Sequence, residues 1–294
     1  MAVTLIRTVP DMHAYADRQR HAGRRIALVP TMGALHDGHL ELVRTAHQHA
    51  DCVVVSVFVN PTQFGPDEDY EDYPRDLASD RDQLGALNVD ALFAPPVEDM
   101  YPNGTFPARR TLTWVEVEQL DEHLCGAYRD EHFRGVTTVV TKLFHCCKPH
   151  VAVFGRKDAQ QFVILQQMVN DLLMDIELVG VPIVREEDGL ARSSRNAYLS
   201  AEERAQAPVL CEAVTAAKKR ILAGEQRVSA LVEAMRNTLR AAPDAHVQYT
   251  EVVDAATLQP VKRVAPEQEV LAAVAVFFGD TRLIDNAFVQ APAA

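Results

Sequence analysis

A buried strand, a loop with two glycines, a helix and a second buried strand follow one another between Arg24 and Val59, and that order commits the chain to a parallel sheet. Arg24–Pro30 (RRIALVP) is an apolar run ending in proline, which suits the end of a buried strand. Thr31–Gly38 contains Gly33 and Gly38. From His39 to Ala50 the apolar residues Leu40, Leu42, Val43 and Ala46 recur at helical spacing, and Asp51–Val59 (DCVVVSVFV) is a second strand. Parallel strands need a crossover, and a βαβ unit of about 35 residues supplies one. Ligands of such sheets lie at the carboxyl ends of the strands. Thr31–His39 and Asn60–Gly65 are therefore on the expected binding edge.

Further strands are expected over Asp90–Ala94, Thr111–Val117, His150–Phe154 and Asp175–Val179, and helices over Leu77–Ala86, Gly135–Cys147 and Ala159–Leu173. After Val184 the pattern changes. Ser200–Leu222 reads as one Ala-rich helix and Val228–Ala241 as a second, followed by strands over Val247–Val253, Val270–Phe278 and Arg282–Val289. Short turns between the last strands predict antiparallel pairing. The expected fold class is α/β, with a Rossmann-like parallel-sheet domain over 1–184 and a smaller α+β domain over 185–294. The 294 residues suit two domains of roughly 150 each.

A formal charge of −12 argues against a nucleic-acid or anionic-membrane surface. An acidic chain that binds an anion needs locally placed cations and helix N-termini. The cysteines, Cys52, Cys125, Cys146, Cys147 and Cys211, are odd in number and lack metal-finger spacing, so reduced thiols are expected. No run approaches the ~20 apolar residues of a membrane span. The expected compartment is the cytoplasm.

Three segments carry chemistry. His36-Asp37-Gly38-His39 follows a strand and opens a helix, where backbone N–H groups and the macrodipole favour phosphate. Two imidazoles there can donate to phosphate oxygens as charge moves; the alternatives are a metal pair or two surface histidines. Gly155-Arg156-Lys157-Asp158 also joins a strand to a helix, and a lysine there suits a phosphate as a mobile point charge. The alternative is a polar loop capped by Asp158. In Arg192-Ser193-Ser194-Arg195, two hydroxyls between two guanidinium forks can bracket a polyphosphate, unless the segment is a solvated linker.

Taken with Pro30–His39, Phe58–Phe64, Tyr73-Pro74-Arg75, His132–Val136, Phe154–Asp158 and Ser193–Asn196, the chain resembles the HIGH-signature nucleotidyltransferases, and within them the pantothenate synthetase (pantoate–β-alanine ligase) family. The likeness runs in order over roughly residues 20–200. Two positions depart from the family pattern: Arg156, where Glu or Gln is frequent, and Arg192, where an apolar residue is usual.

The resemblance implies an ATP-dependent ligase that joins pantoate to β-alanine through a pantoyl adenylate. It implies ATP contacts from Met32, Gly33, Ala34, Leu35, His36, Asp37, Gly38, His39, Gly155, Arg156, Lys157, Asp158, Val184, Arg192, Ser193, Ser194 and Arg195. Among these, His36, His39, Lys157, Ser193, Ser194 and Arg195 are the expected catalytic groups, and 192–195 a mobile clamp. Gln63 and Gln161 are expected to hold pantoate, with Asn60 beside them and Phe64, Val139 and Val140 against its dimethyl carbon. Mg2+ is expected with ATP, held mostly by phosphate oxygens, with Asp80 as a candidate ligand. A homodimer is implied. The rival readings are another nucleotidyltransferase of the superfamily and a nucleotide-binding regulator without catalysis.

Overall fold

The computed structural model describes residues 3–66, 68–104 and 111–293. The elements run β1 (Thr4–Ile6), α1 (Val9–His21), β2 (Ile26–Thr31), α2 (Asp37–His49), β3 (Cys52–Val57), α3 (Leu77–Ala86), β4 (Ala91–Phe93), α4 (Val97–Met100), α5 (His132–Cys147), β5 (Val151–Gly155), α6 (Ala159–Asp171) and β6 (Glu177–Val181). They continue with α7 (Ala201–Gln206), α8 (Val209–Leu222), α9 (Val228–Leu239), β7 (Ala245–Asp254), β8 (Glu269–Phe278) and β9 (Thr281–Gln290).

The first six strands form one sheet in the order β1-β4-β3-β2-β5-β6, with every pair parallel. Continuous apolar runs make β2, β3 and β5 fit its middle, where both faces are covered. Ile26–Val29, Cys52–Val55 and Val151–Val153 are fully buried. The chain travels from β2 through β3 to β4 on one side, then returns to place β5 on the other flank of β2. Ligands in such sheets bind where the strand order reverses. The loops after β2 and β5 flank that point.

The last three strands form an antiparallel meander, β7-β8-β9. Gly279, at φ +52°, opens the two-residue turn between the paired Phe278 and Thr281, a left-handed geometry that glycine adopts without strain. The apolar faces of α8 and α9 share a core with this sheet, including Leu210, Val214, Leu231, Met235, Val274 and Phe278.

The chain divides into two compact units. One comprises Met1–Glu118, Arg129–Arg156 and Ile164–Pro182; the other comprises Gln119–Tyr128, Lys157–Val163 and Ile183–Ala294. The second unit is therefore not a contiguous piece of sequence. Gln160 explains how one of the inserted segments is retained. Its Oε1 accepts from the amides of Cys125 and Gly126, and its Nε2 donates to the carbonyls of Leu120 and His123.

Two expected elements are corrected. Thr111–Val117 forms no strand and pairs with none among the described residues. The hydroxyls of Thr138 and Thr137 on α5 instead bond the Val115 amide and carbonyl. The single helix over Ser200–Leu222 is two helices, because Pro208 has no N–H to continue the ladder.

Candidate active site

The loop between β2 and α2 is shaped by a carboxylate from another part of the chain. Gly33 and Ala34 both have positive φ, +87° and +50°, which turns successive amides toward one point. The amides of Ala34 and Leu35 donate to Asp80 Oδ2 and Oδ1 at 3.2 and 2.8 Å. A Cβ on Gly33 would lie 3.0 Å from Asp80 Oδ2 and from Val57, so glycine also suits the space. Asp80 is 1% exposed. Burial pushes its carboxyl above the ordinary aspartate value, against the opposing effect of the two amides. Asp80, expected as a metal ligand, is thus an anchor for this loop: buried on α3, it already meets two backbone donors.

At the start of α2, two histidines form a reciprocal capping box. The Gly38 amide donates to His36 Nδ1 at 3.1 Å, and the His36 amide donates to His39 Nδ1 at 3.4 Å. Each Nδ1 accepts, so each neutral ring carries its hydrogen on Nε2. The rings stack with centroids 4.0 Å apart. The local sequence thereby fixes two imidazoles as Nε2–H donors at a helix N-terminus.

The loop after β3 centres on Asn60, which is 1% exposed. Its Nδ2 donates to Gln63 Oε1 at 3.1 Å and to the Gly135 carbonyl at 3.2 Å. Its Oδ1 accepts from the hydroxyls of Tyr101 at 2.7 Å and Thr62 at 3.1 Å. Asn60, expected beside the substrate, supports Gln63 in this arrangement, with both amide hydrogens engaged. Gln63 Nε2 donates to Met32 Sδ at 3.3 Å, a weak acceptor that a ligand oxygen can replace. Phe64 meets Tyr70 and Tyr73 edge-on. Val139 and Val140 are buried on α5.

Met32, His36, His39, Asn60, Gln63 and Asp80 all belong to the first unit. Lys157, Asp158, Gln161, Val184 and Arg192–Arg195 belong to the second. The Lys157 carbonyl accepts from Asn286 Nδ2 at 2.8 Å. The expected clamp follows a tight hairpin: Arg192 N donates to the Val184 carbonyl, Glu186 N to that of Leu190, and Gly189 N to that of Glu186. Ser193 caps a 3-10 turn over Ser194–Tyr198, its hydroxyl accepting from Arg195 N. Arg185 pins the hairpin by donating to Asp285 at 2.7 and 2.9 Å and to the Gly189 carbonyl at 2.9 Å. Glu186 and Asp188 both accept from Arg204. Sequence reasoning singled out Arg192–Arg195 but not Arg185, Asp285 and Asn286, which support the neighbouring segments. Adjacent polar residues in the otherwise apolar strand pattern of β9 were the available signal.

The family model for pantoate–β-alanine ligase matches residues 4–288. A pantothenate synthetase of Salinibacter ruber is 69% identical over 291 residues, 99% of this chain and 99% of its own. One from Thermotoga petrophila is 50% identical over 282 residues, 96% of this chain and 98% of its own. The crystal structure of the pantothenate synthetase from Thermus thermophilus matches with a TM-score of 0.90 and 45% identity, covering 98% of this chain and 100% of that one. The pantoate–β-alanine ligase of Francisella tularensis, complexed with beta-gamma ATP and β-alanine, matches with a TM-score of 0.79 and 31% identity over 98% of each chain. The parallel sheet and the antiparallel unit expected from the sequence are the fold shared with these structures. Both the resemblance in the motifs and the whole-chain comparisons lead to one assignment: this chain belongs to the pantoate–β-alanine ligase family.

Proposed function

We infer that this chain is a ligase that condenses pantoate with β-alanine to pantothenate, with ATP as co-substrate. The observation that carries the reading is the presence of two Nε2–H imidazoles after β2 together with the neutral amide of Gln63, which donates to Met32 of the same β2–α2 loop. An anionic nucleotide needs donors, whereas an attacking carboxylate needs a holder that does not quench its charge. A guanidinium in place of Gln63 would pin the carboxylate and reduce its nucleophilicity.

In the first step a pantoate carboxylate oxygen attacks the α-phosphorus of ATP, and the bond to the bridging oxygen breaks to release pyrophosphate. In the second, the amine of β-alanine attacks the acyl carbon of the pantoyl adenylate and expels AMP. No side chain needs to act as nucleophile, so catalysis rests on positioning and charge stabilisation. His36 and His39 donate to the reacting phosphate, Lys157 adds a mobile cation, and Ser193, Ser194, Arg192 and Arg195 bracket the phosphates. Met32–Leu35, Asp37, Gly38, Gly155, Arg156 and Asp158 line the nucleotide, with Val184 beside the base. Gln63 and Gln161 hold pantoate, and Phe64, Val139 and Val140 face its dimethyl carbon. The 1–184 region supplies the nucleotide and pantoate contacts, and 185–294 brings the clamp.

Mg2+ enters with ATP, whose phosphate oxygens are the hard ligands it prefers. Among the described residues no group of three His, Cys, Asp or Glu side chains could hold a metal, and Asp80 is committed to the loop. A homodimer is supported by Thr111–Val117, an alternating segment that pairs with no strand among the described residues and holds Leu112 at 92% exposure. A cytoplasmic setting is supported by five free cysteines, and no described helix is long and apolar enough to cross a membrane.

Pyrophosphate exchange tests the chemistry. Labelled pyrophosphate should enter ATP with pantoate present and β-alanine absent; exchange that requires β-alanine would overturn the adenylate mechanism.

A further inference from the structure

Gln63 ends a single turn of 3-10 helix, Pro61–Gln63, which is too short to hold itself. Its carbonyl lies 2.7 Å from His132 Nδ1 at the start of α5. A carbonyl only accepts, so Nδ1 carries the hydrogen. Arg129 Nη1 lies 2.9 Å from the other ring nitrogen, Nε2. A guanidinium only donates, so Nε2 is the acceptor. These two neighbours together admit one tautomer of His132.

Arg129 is held in turn by Glu68. Its Nε and Nη2 donate to the two carboxylate oxygens, each at 2.6 Å, in the parallel fork geometry that fixes a guanidinium most firmly. The side chains are 18% and 28% exposed. The Glu68 amide donates to the Gly65 carbonyl, two residues beyond Gln63. The chain of contacts thus leaves the loop at Gln63, passes through His132 and Arg129, and returns to the same loop at Glu68. Gly135 brings α5 close: a Cβ there would stand 2.2 Å from the Thr62 carbonyl oxygen.

We propose that Glu68, Arg129 and His132 are positioning residues for Gln63: the ion pair selects the Nδ1–H tautomer of His132, and that tautomer fixes the turn that presents the Gln63 amide to pantoate. The inference rests on the reading of Gln63 as a pantoate holder. With the other tautomer, the Nδ1 lone pair would face the lone pairs of the Gln63 carbonyl, and the turn would have to move. The three residues act through Gln63, so their loss falls on pantoate and spares ATP.

The amide isosteres separate this from bulk packing. In His132→Asn the amide nitrogen can take the place of Nδ1, whereas in His132→Gln it reaches toward Nε2 and the donor to Gln63 is lost. His132→Asn should keep KM for pantoate within about twofold of the parent, and His132→Gln should raise it by about tenfold or more, the scale of one lost hydrogen bond. KM for ATP should stay within about twofold in both. Glu68→Gln, which loosens the fork, should raise the pantoate KM by a smaller factor. Nitrogen-15 spectra of histidine-labelled parent protein should show Nδ1 protonated and Nε2 bare for His132. Parent spectra with Nε2 protonated would overturn the proposal whether or not the variants fold. Equal pantoate KM values for folded His132→Asn and His132→Gln would overturn it as well. Gln63→Ala is the separate control: if it leaves the pantoate KM unchanged, the role of Gln63 itself is wrong, whatever the tautomer of His132.

Discussion

Asn286 donates its side-chain amide to the backbone carbonyl of Lys157 at 2.8 Å. The preceding residue, Asp285, is 2% exposed and takes both contacts from Arg185 at the base of the hairpin that leads to Ser193. Consecutive residues of β9 therefore hold two segments that the proposed function assigns to phosphate. Asn286→Ala should cost about 0.5–1.5 kcal/mol of stability, as for one hydrogen bond, and raise KM for ATP with little change for pantoate. Asp285→Ala should cost about 3 kcal/mol or more, because Arg185 loses its buried partner. Denaturant midpoints and KM values measured separately for ATP and pantoate check both; an unchanged ATP KM in Asn286→Ala would remove the link.

Asp80→Asn separates a loop anchor from a metal ligand. An amide has one acceptor oxygen for two backbone donors, and its NH2 would oppose the Ala34 or Leu35 amide. The cost should be about 1–3 kcal/mol, as for a buried unsatisfied group, with a raised KM for ATP. The Mg2+ midpoint at saturating ATP should not move. A large shift in that midpoint would return Asp80 to the metal.

His39→Ala should slow pyrophosphate exchange by about 10²-fold or more, the usual loss for one transition-state donor. Because His39 also closes the capping box, the variant should lose about 0.5–2 kcal/mol of stability. Near-normal exchange in a folded variant would exclude His39 from the chemistry.

The hairpin before Ser193 should contribute to acid sensitivity. Burial raises the Glu186 carboxyl, but the hydrogen bond and charge of Arg204 more than offset this, leaving it below its ordinary value of 4.5. The Arg204 hydrogen bond likewise holds Asp188 below 3.8. Groups depressed in the folded state bind fewer protons than in the unfolded chain, so their contribution is complete above the unfolded values and fades as pH falls through the folded ones. Stability should therefore decline below about pH 4.5, and Arg204→Ala should flatten that decline. Thermal melts from pH 3 to 7, with and without Arg204, would show it; identical slopes would assign acid loss elsewhere.

The central strands and α2 were legible because burial on both faces leaves a continuous apolar run, and because the amphipathic stripe of α2 is regular. Residues Val9–His21 lacked such a signal: only Met12, Tyr15 and Ala16 are buried in an otherwise polar helix. Thr111–Val117 alternates like a strand, yet its backbone partners are hydroxyls on α5, a choice that no local pattern encodes. The residues proposed to meet phosphate and pantoate lie in segments the sequence made recognisable. Their supports do not. Asp80 meets Ala34 and Leu35, and Arg129 meets Glu68, across long stretches of chain, so the sequence displays two carboxylates without showing what they hold.

The reversal of strand order at β2 also sets when the site can come into existence during folding. β7, β8 and β9 pair with their neighbours in sequence, and such local contacts close at small entropic cost. Ala27 must wait for Val151, which follows α2, β3, α3, β4, α4 and α5 in the chain, before β5 can lie beside β2. The loops proposed to meet the nucleotide begin at the ends of those two strands, so they come together only with one of the longest-range pairings in the parallel sheet. A nascent chain that has not yet released β5 has the histidine pair without the second proposed loop, and on that proposal nucleotide stabilises the fold only after the pairing is made.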